Sequence, residues 1–205
     1  MAIVDPQFTY TLPPSMVADT GLDVLTHAIE SDVSVMASDF TRGNSMEAIR
    51  LVFENLYDSY STGSHESREH MHYAATVAGM AFANAILMPH IIRYNHKKPV
   101  KRRVWAKYES FRADEDYAAI ARMLKLPGET TEELVESLVL AIIKLSKDCC
   151  VELSIKAQGV SREAFDSQKE ELAYLAYEDQ CTTCNPKEPL IAEIMAILEL
   201  AYEGV

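Results

Sequence analysis

The chain has 205 residues, 48% of them hydrophobic and 24% charged, a globular composition that argues against disorder. Nineteen Lys and Arg against 31 Asp and Glu give a formal net charge of -12, which repels phosphate backbones and excludes a general nucleic-acid binder. No apolar run approaches the roughly 20 residues of a membrane helix. The start at Met1 lacks the basic-then-apolar layout of a signal peptide, and four cysteines are too few for a disulfide framework, so a cytoplasmic location is expected.

Ala2-Ile3-Val4 is the one strand-like stretch, too short for a sheet. A helix is predicted from Val17 to about Ala37, capped by Asp19 or Thr20, with Leu22, Leu25, Ile29 and Val33 as its apolar stripe. A second runs from near Asp39 to Tyr60 and stops at the turn Ser61-Thr62-Gly63-Ser64. A third, from about Ser67 to Tyr94, is apolar nearly all round between Ala74 and Met88, as a buried helix is, and Pro89 should kink or break it. Lys97 to Ala113 is a polar linker; its run Lys97-Lys98-Pro99-Val100-Lys101-Arg102-Arg103 has no interleaved aromatics and is expected to be solvated.

A short helix follows with Tyr117, Ile120, Ala121 and Leu124 at helical spacing, ended by Pro127-Gly128. Thr130-Thr131-Glu132-Glu133 is a capping-box start for a helix burying Leu134, Leu138, Ala141, Ile142 and Leu145. Ser161 begins another through Tyr177. Pro189 is expected in the first turn of a last helix, with Leu190, Ile191, Ile194, Met195, Leu198 and Ala201 facing inward. The expected class is all-α, a helical bundle in one domain.

Asp23 and His27, four residues apart, stand one above the other on a helix and can grip one ion. They can equally be a first-turn carboxylate and its hydrogen-bonded partner. A firm divalent site needs at least three protein ligands. Glu30, almost on the same face, could support them from behind. His65 and His96 sit in polar surroundings and are expected to be exposed, and His72 and His90 suit satisfied core or boundary positions. Cys181-Thr182-Thr183-Cys184 lacks the second pair a structural zinc site needs, since adjacent Cys149-Cys150 has poor geometry for it, and lacks the βαβ context of a redox motif. There is no Gly-rich phosphate loop, nucleophile elbow or Walker motif, and no dinucleotide-binding unit can be built from these residues.

Asp5-Pro6, Pro13-Pro14 and Gly21-Leu22-Asp23-Val24-Leu25-Thr26-His27-Ala28-Ile29-Glu30 together resemble the iron-dependent alcohol dehydrogenase family. Val33 to Thr41, Arg68 to Ala85 (notably Ala74 to Ala85), Ile91-Ile92-Arg93-Tyr94-Asn95, and Asp179-Gln180-Cys181-Thr182 with Asn185-Pro186 and Pro189-Leu190-Ile191 narrow the likeness. They resemble the alcohol dehydrogenase half of the bifunctional aldehyde–alcohol dehydrogenases. The resemblance implies a fold like the family's C-terminal helical domain, the dehydroquinate synthase-like α domain. On it, residues 1–14 are the edge of a cofactor domain and a linker, and residues 15–205 are the metal-binding domain.

The resemblance also implies that Asp23 and His27 are two of the family's four ligands to iron(II). That iron acts as a Lewis acid on a small alcohol or aldehyde while NAD, held by another domain, carries the hydride. The family's other two ligands are histidines in a segment following a helix that ends like Phe82-Ala83-Asn84-Ala85 and itself ending in a second Ala-Asn-Ala. Here the flanks are joined directly, so the implied chain is an inactive domain with two ligands missing, and iron weak or absent. The alternative is a non-catalytic interaction module, a possible homo-oligomer, with no nucleic acid and no membrane as partner.

Overall fold

The structure, a computed structural model, describes residues 5–78, 87–99 and 111–205. Every regular element among them is helical: a 3-10 turn at Pro6–Thr9, then α1 (Pro14–Val33), α2 (Asp39–Ser61), α3 (His65–Ala78), α4 (Met88–Asn95), α5 (Ala113–Met123), α6 (Thr131–Asp148), α7 (Arg162–Glu178), a second 3-10 turn at Gln180–Cys184, and α8 (Ile191–Glu203). The strand-like Ala2-Ile3-Val4, the Ala83-Asn84-Ala85 word and Lys101-Arg102-Arg103 lie outside the described residues. The expected all-α class is what the molecule shows.

The chain forms two compact units, one of Met1–Asp32, Ala37–Ala85 and Lys144–Val151, the other of Val33–Met36, Ile86–Ile143 and Glu152–Val205. In the first, α2 and α3 are joined by three residues and pack along each other, which puts Ile49, Val52 and Leu56 with Met71 and Ala74 in the core. Leu22, Leu25, Ala28 and Ile29 of α1 complete it. Ser38 caps α2 by accepting from Thr41 N at 3.3 Å, while Thr41 Oγ1 accepts from Ser38 N at 2.8 Å. That is a capping box built with Thr in place of Glu.

Arg68 ties this unit together. Its side chain, 4% exposed, donates to the carbonyls of Ser59, Thr9 and Leu12, so one guanidinium joins α3, the end of α2 and the Pro6–Thr9 turn. Burial pulls its pKa below the usual arginine value, and three carbonyl acceptors satisfy its buried fork.

In the second unit α8 packs on α7 and α4, and α4 on α5. Tyr117, Ile120, Leu138, Ile142 and Ile92 are almost fully buried there. The capping box expected for α6 is present: Thr130 Oγ1 accepts from Glu133 N at 3.2 Å, and Glu133 Oε2 accepts from Thr130 N at 3.1 Å. Phe165 of α7 stacks on Tyr202 of α8, ring centroids 4.5 Å apart, with Arg162 over both rings.

Four boundaries differ from the sequence expectation. α1 ends at Val33 rather than near Ala37, and it starts at Pro14, which supplies a ready-made first-turn φ. The stretch from Ser67 to Tyr94 contains two described helices, with Pro89 in the first turn of α4, where its missing N–H costs nothing. α5 stops at Met123 because Lys125 takes a left-handed φ of 57° before Pro127 is reached. Pro189 precedes α8 rather than entering it; Leu190 is the cap residue and is 50% exposed, and Ile191, Ile194, Met195 and Leu198 are only half-buried.

Candidate metal-binding face

The first unit's α1 carries Asp23, His27 and Glu30 on one face. Leu22, Leu25, Ala28 and Ile29 turn into the core between them, which fixes the azimuth of the polar three. Thr26, also buried, closes its hydroxyl on Leu22 O at 3.0 Å and so adds no donor to that face.

His27 Nε2 stands 3.7 Å from Asp23 Oδ1; the Asp23 side chain is 51% exposed and that of His27 19%. The separation suits two groups converging on a third atom better than a direct hydrogen bond, which would be nearer 3 Å. Glu30 differs in kind. Burial, with the Asp23 carboxylate adding repulsion, pushes its pKa up from 4.5 to about 8. At neutral pH it is therefore largely a neutral acid, and a neutral carboxyl is a poor metal ligand. Further along α1, Asp32 is fully buried with Arg42 Nη1 3.7 Å from its carboxylate.

The other histidines are each placed elsewhere. His65 stacks on Tyr10, 3.9 Å between centroids and 8° from parallel. His70 Nδ1 meets Asn55 Oδ1 at 3.1 Å. His96 Nδ1 lies 3.2 Å from Ile92 O and the ring is half-buried rather than exposed as expected. His72 Nε2 and His90 Nε2 are buried with no hydrogen-bond partner among the described residues. For both, the expected satisfied boundary position is not realised at that nitrogen. Burial, reinforced by Arg93, holds His90 below the usual histidine pKa, so it is a neutral imidazole.

A firm divalent centre does not fit this donor set. Among the described residues no group of three His, Cys, Asp or Glu side chains is placed to hold an ion. Residues 1–4, 79–86 and 100–110 add a single side chain of those types, Glu109. Asp23 and His27 would leave most of an ion's coordination positions to water.

The second unit holds a polar cluster that sequence reasoning missed. Asn95 and Asn185 exchange side-chain hydrogen bonds of 2.8 and 2.9 Å, and Asn95 also donates to Tyr117 Oη at 3.3 Å. Tyr94 donates to Glu193 Oε2 at 2.8 Å under the ammonium of Lys187, 3.7 Å from the ring centroid. Burial and the Glu193 bond both raise the Tyr94 pKa, so its proton stays in place. Asn95 and Asn185 are 90 residues apart, and nothing local in sequence signals that they meet.

The model of the Fe-containing alcohol dehydrogenase family, C-terminal part, matches residues 17–86 and 83–202, two stretches that overlap only at 83–86. An aldehyde-alcohol dehydrogenase of Streptococcus pneumoniae is 44% identical over an alignment that takes in 100% of this chain and 26% of the relative. That alignment runs over 229 positions and the chain has 205 residues, so at least 24 positions have no counterpart here. Among solved structures, the iron-containing alcohol dehydrogenase of Thermococcus thioreducens superposes with a TM-score of 0.81 at 31% identity, covering 100% of this chain and 55% of that one. A 1,3-propanediol oxidoreductase gives 0.82 at 29% identity, covering 96% and 54%. The chain thus spans about half of the solved structures it matches and about a quarter of the aldehyde-alcohol dehydrogenase. With a family match from residue 17 to residue 202 and a helical architecture shared with solved members, this chain belongs to the Fe-containing alcohol dehydrogenase family and corresponds to its C-terminal part.

Proposed function

We propose that this chain is the metal-side helical part of an iron-linked, NAD(P)-dependent alcohol–aldehyde oxidoreductase, retaining Asp23 and His27 of the metal site and lacking its other two ligands. As a 205-residue polypeptide it is proposed to hold iron(II) weakly and to turn over no alcohol. The observation that carries this reading is the pairing of Asp23 and His27 on α1, 3.7 Å apart, with no third ligating side chain placed beside them among the described residues. The internal shortfall of at least 24 alignment positions supports it, as does the family match that breaks and resumes at 83–86, the Ala-Asn-Ala word.

The test is a coupled assay with iron(II), NADH or NADPH and a short aldehyde. The expected result is no turnover above buffer. Turnover that disappears on Asp23→Ala would refute the reading.

A second reading, a non-catalytic association module, is favoured by the apolar exposure of the second unit. Leu172 and Leu175 of α7 and Leu200 of α8 are 46%, 59% and 57% exposed. Light scattering over a concentration series separates the two readings: growth in mass with concentration supports association, and a constant monomer mass opposes it.

A further inference from the structure

We infer that Cys181 and Cys184 form an oxidant-responsive dithiol that closes to a disulfide within its own turn by exchange with a small disulfide of the glutathione class. The two residues lie at opposite ends of one turn of the 3-10 helix Gln180–Cys184. In a 3-10 helix residues three apart are eclipsed and rise ~2 Å each, which sets their Cα atoms ~6 Å apart. Disulfides need a Cα separation of ~4.4–6.8 Å. Neither cysteine is in a disulfide; Cys181 is exposed and Cys184 half-buried.

The turn is held in shape from several sides. Asp179 Oδ1 accepts from Cys181 N at 2.7 Å, Thr182 Oγ1 donates to Ala176 O at 2.6 Å, and Thr183 Oγ1 donates to Gln180 O at 2.7 Å. Cys184 O accepts from Val35 N at 3.1 Å and from Ser34 Oγ at 3.2 Å. Asn185, the next residue, is locked in the reciprocal amide pair with Asn95. A turn held this way keeps the two Cα atoms at that separation before any bond forms, so closure loses little chain entropy.

The other pair offers a built-in contrast. Cys149 is 2% exposed, and its burial pushes the thiol pKa up to about 11, so it presents little thiolate. Its neighbour Cys150 is exposed with φ 56°.

The chemistry balances without a metal. The exposed Cys181 thiolate attacks one sulfur of glutathione disulfide, forming a mixed disulfide and releasing one glutathione thiol. Cys184, as thiolate, then attacks the Cys181 sulfur and displaces the second glutathione. The protein loses two hydrogens and two electrons, and one glutathione disulfide becomes two thiols.

The test equilibrates the full chain in a series of glutathione buffers, quenches with an alkylating agent and maps tryptic peptides by mass. Residues 170–187 carry Cys181 and Cys184 on one peptide, and residues 148–156 carry Cys149 and Cys150 on another. The 170–187 peptide is expected to lose two hydrogens and both alkylation sites while the 148–156 peptide stays alkylated. Cys184→Ser is expected to leave a glutathione adduct on Cys181. Because the folded turn is pre-formed, half-closure should come at a glutathione ratio roughly tenfold more reducing than in guanidinium-denatured chain, a shift of about 30 mV for a two-electron couple. Half-closure at the same or a more oxidising ratio in the folded chain overturns the inference, as do single adducts without a closed peptide at every ratio.

Discussion

Gly21 of α1 lies so close to Leu56 of α2 that a Cβ added to it would sit 2.3 Å from Leu56 Cδ1, with Met71 Cε of α3 3.1 Å away. Leu56 is 0% exposed, so its methyl has nowhere to retreat. Gly43, on the exposed side of α2, has nothing within 4 Å of the same hypothetical atom. The two glycines therefore predict opposite outcomes for one chemical change. Gly43→Ala should stabilise by about 0.5–1 kcal/mol, the helix-propensity gain. Gly21→Ala gains the same propensity but overpacks a closed core, at a cost of about 1–3 kcal/mol, so its net effect is destabilising. Urea midpoints for the two variants check this; equal shifts would contradict the close approach of α1 and α2.

Arg68 makes the second prediction. Arg68→Met removes three charge-assisted bonds to the carbonyls of Thr9, Leu12 and Ser59 and leaves buried acceptors behind. A loss of about 3 kcal/mol is expected, which for a chain of this size is a fall of roughly 6–12 °C in Tm. Arg68→Lys should recover only part of it, because an ammonium cannot reproduce the planar fork. Full recovery by Lys would show that charge alone suffices.

The third concerns pH. In the metal-free chain Glu30 is held at about 8 against an ordinary 4.5, so the folded state binds a proton that the unfolded state releases. Its contribution to stability is intact below about pH 4.5 and is lost as pH rises through about 8. Glu30→Gln removes the titration. The variant should gain stability relative to the parent as pH rises across that window, and denaturation midpoints at pH 5, 7 and 8.5 would trace the gain. A difference independent of pH would show that Glu30 is not protonated in the fold.

The fourth tests the missed cluster. Asn95→Ala deletes one half of the reciprocal pair with Asn185 and the bond to Tyr117, and should cost about 2 kcal/mol. The same change should speed amide exchange across 180–187, since the turn loses an anchor. Unchanged exchange there would mean that Ser34 and Val35 hold the turn without help.

Much of the architecture was legible because it is written in local terms. The Thr130-to-Glu133 box, the Ser161 cap and the apolar stripe Leu22, Leu25 and Ile29 all act within one or two turns, and each stands where the sequence placed it. The α8 expectation went further than its residues allow: apolar residues lie all round the helix between Glu193 and Glu199, so spacing does not say which side faces in, and only Ala201 and Tyr202 are buried. That Asp23 and His27 stand side by side was readable from their spacing, whereas the state of Glu30 follows from burial that spacing cannot convey. The Asn95–Asn185 pair and two of the three carbonyls on Arg68, those of Leu12 and Thr9, join residues 56 to 90 apart, beyond any local pattern.

The most direct test of the account is an anaerobic titration of the full chain with iron(II), followed by calorimetry and by metal-edge absorption for coordination. The account predicts weak binding with Asp23 and His27 as the protein donors and water in the remaining positions, and about tenfold weaker binding still on His27→Ala, near 1.4 kcal/mol. Tight stoichiometric binding to a centre with two or more histidines would contradict it.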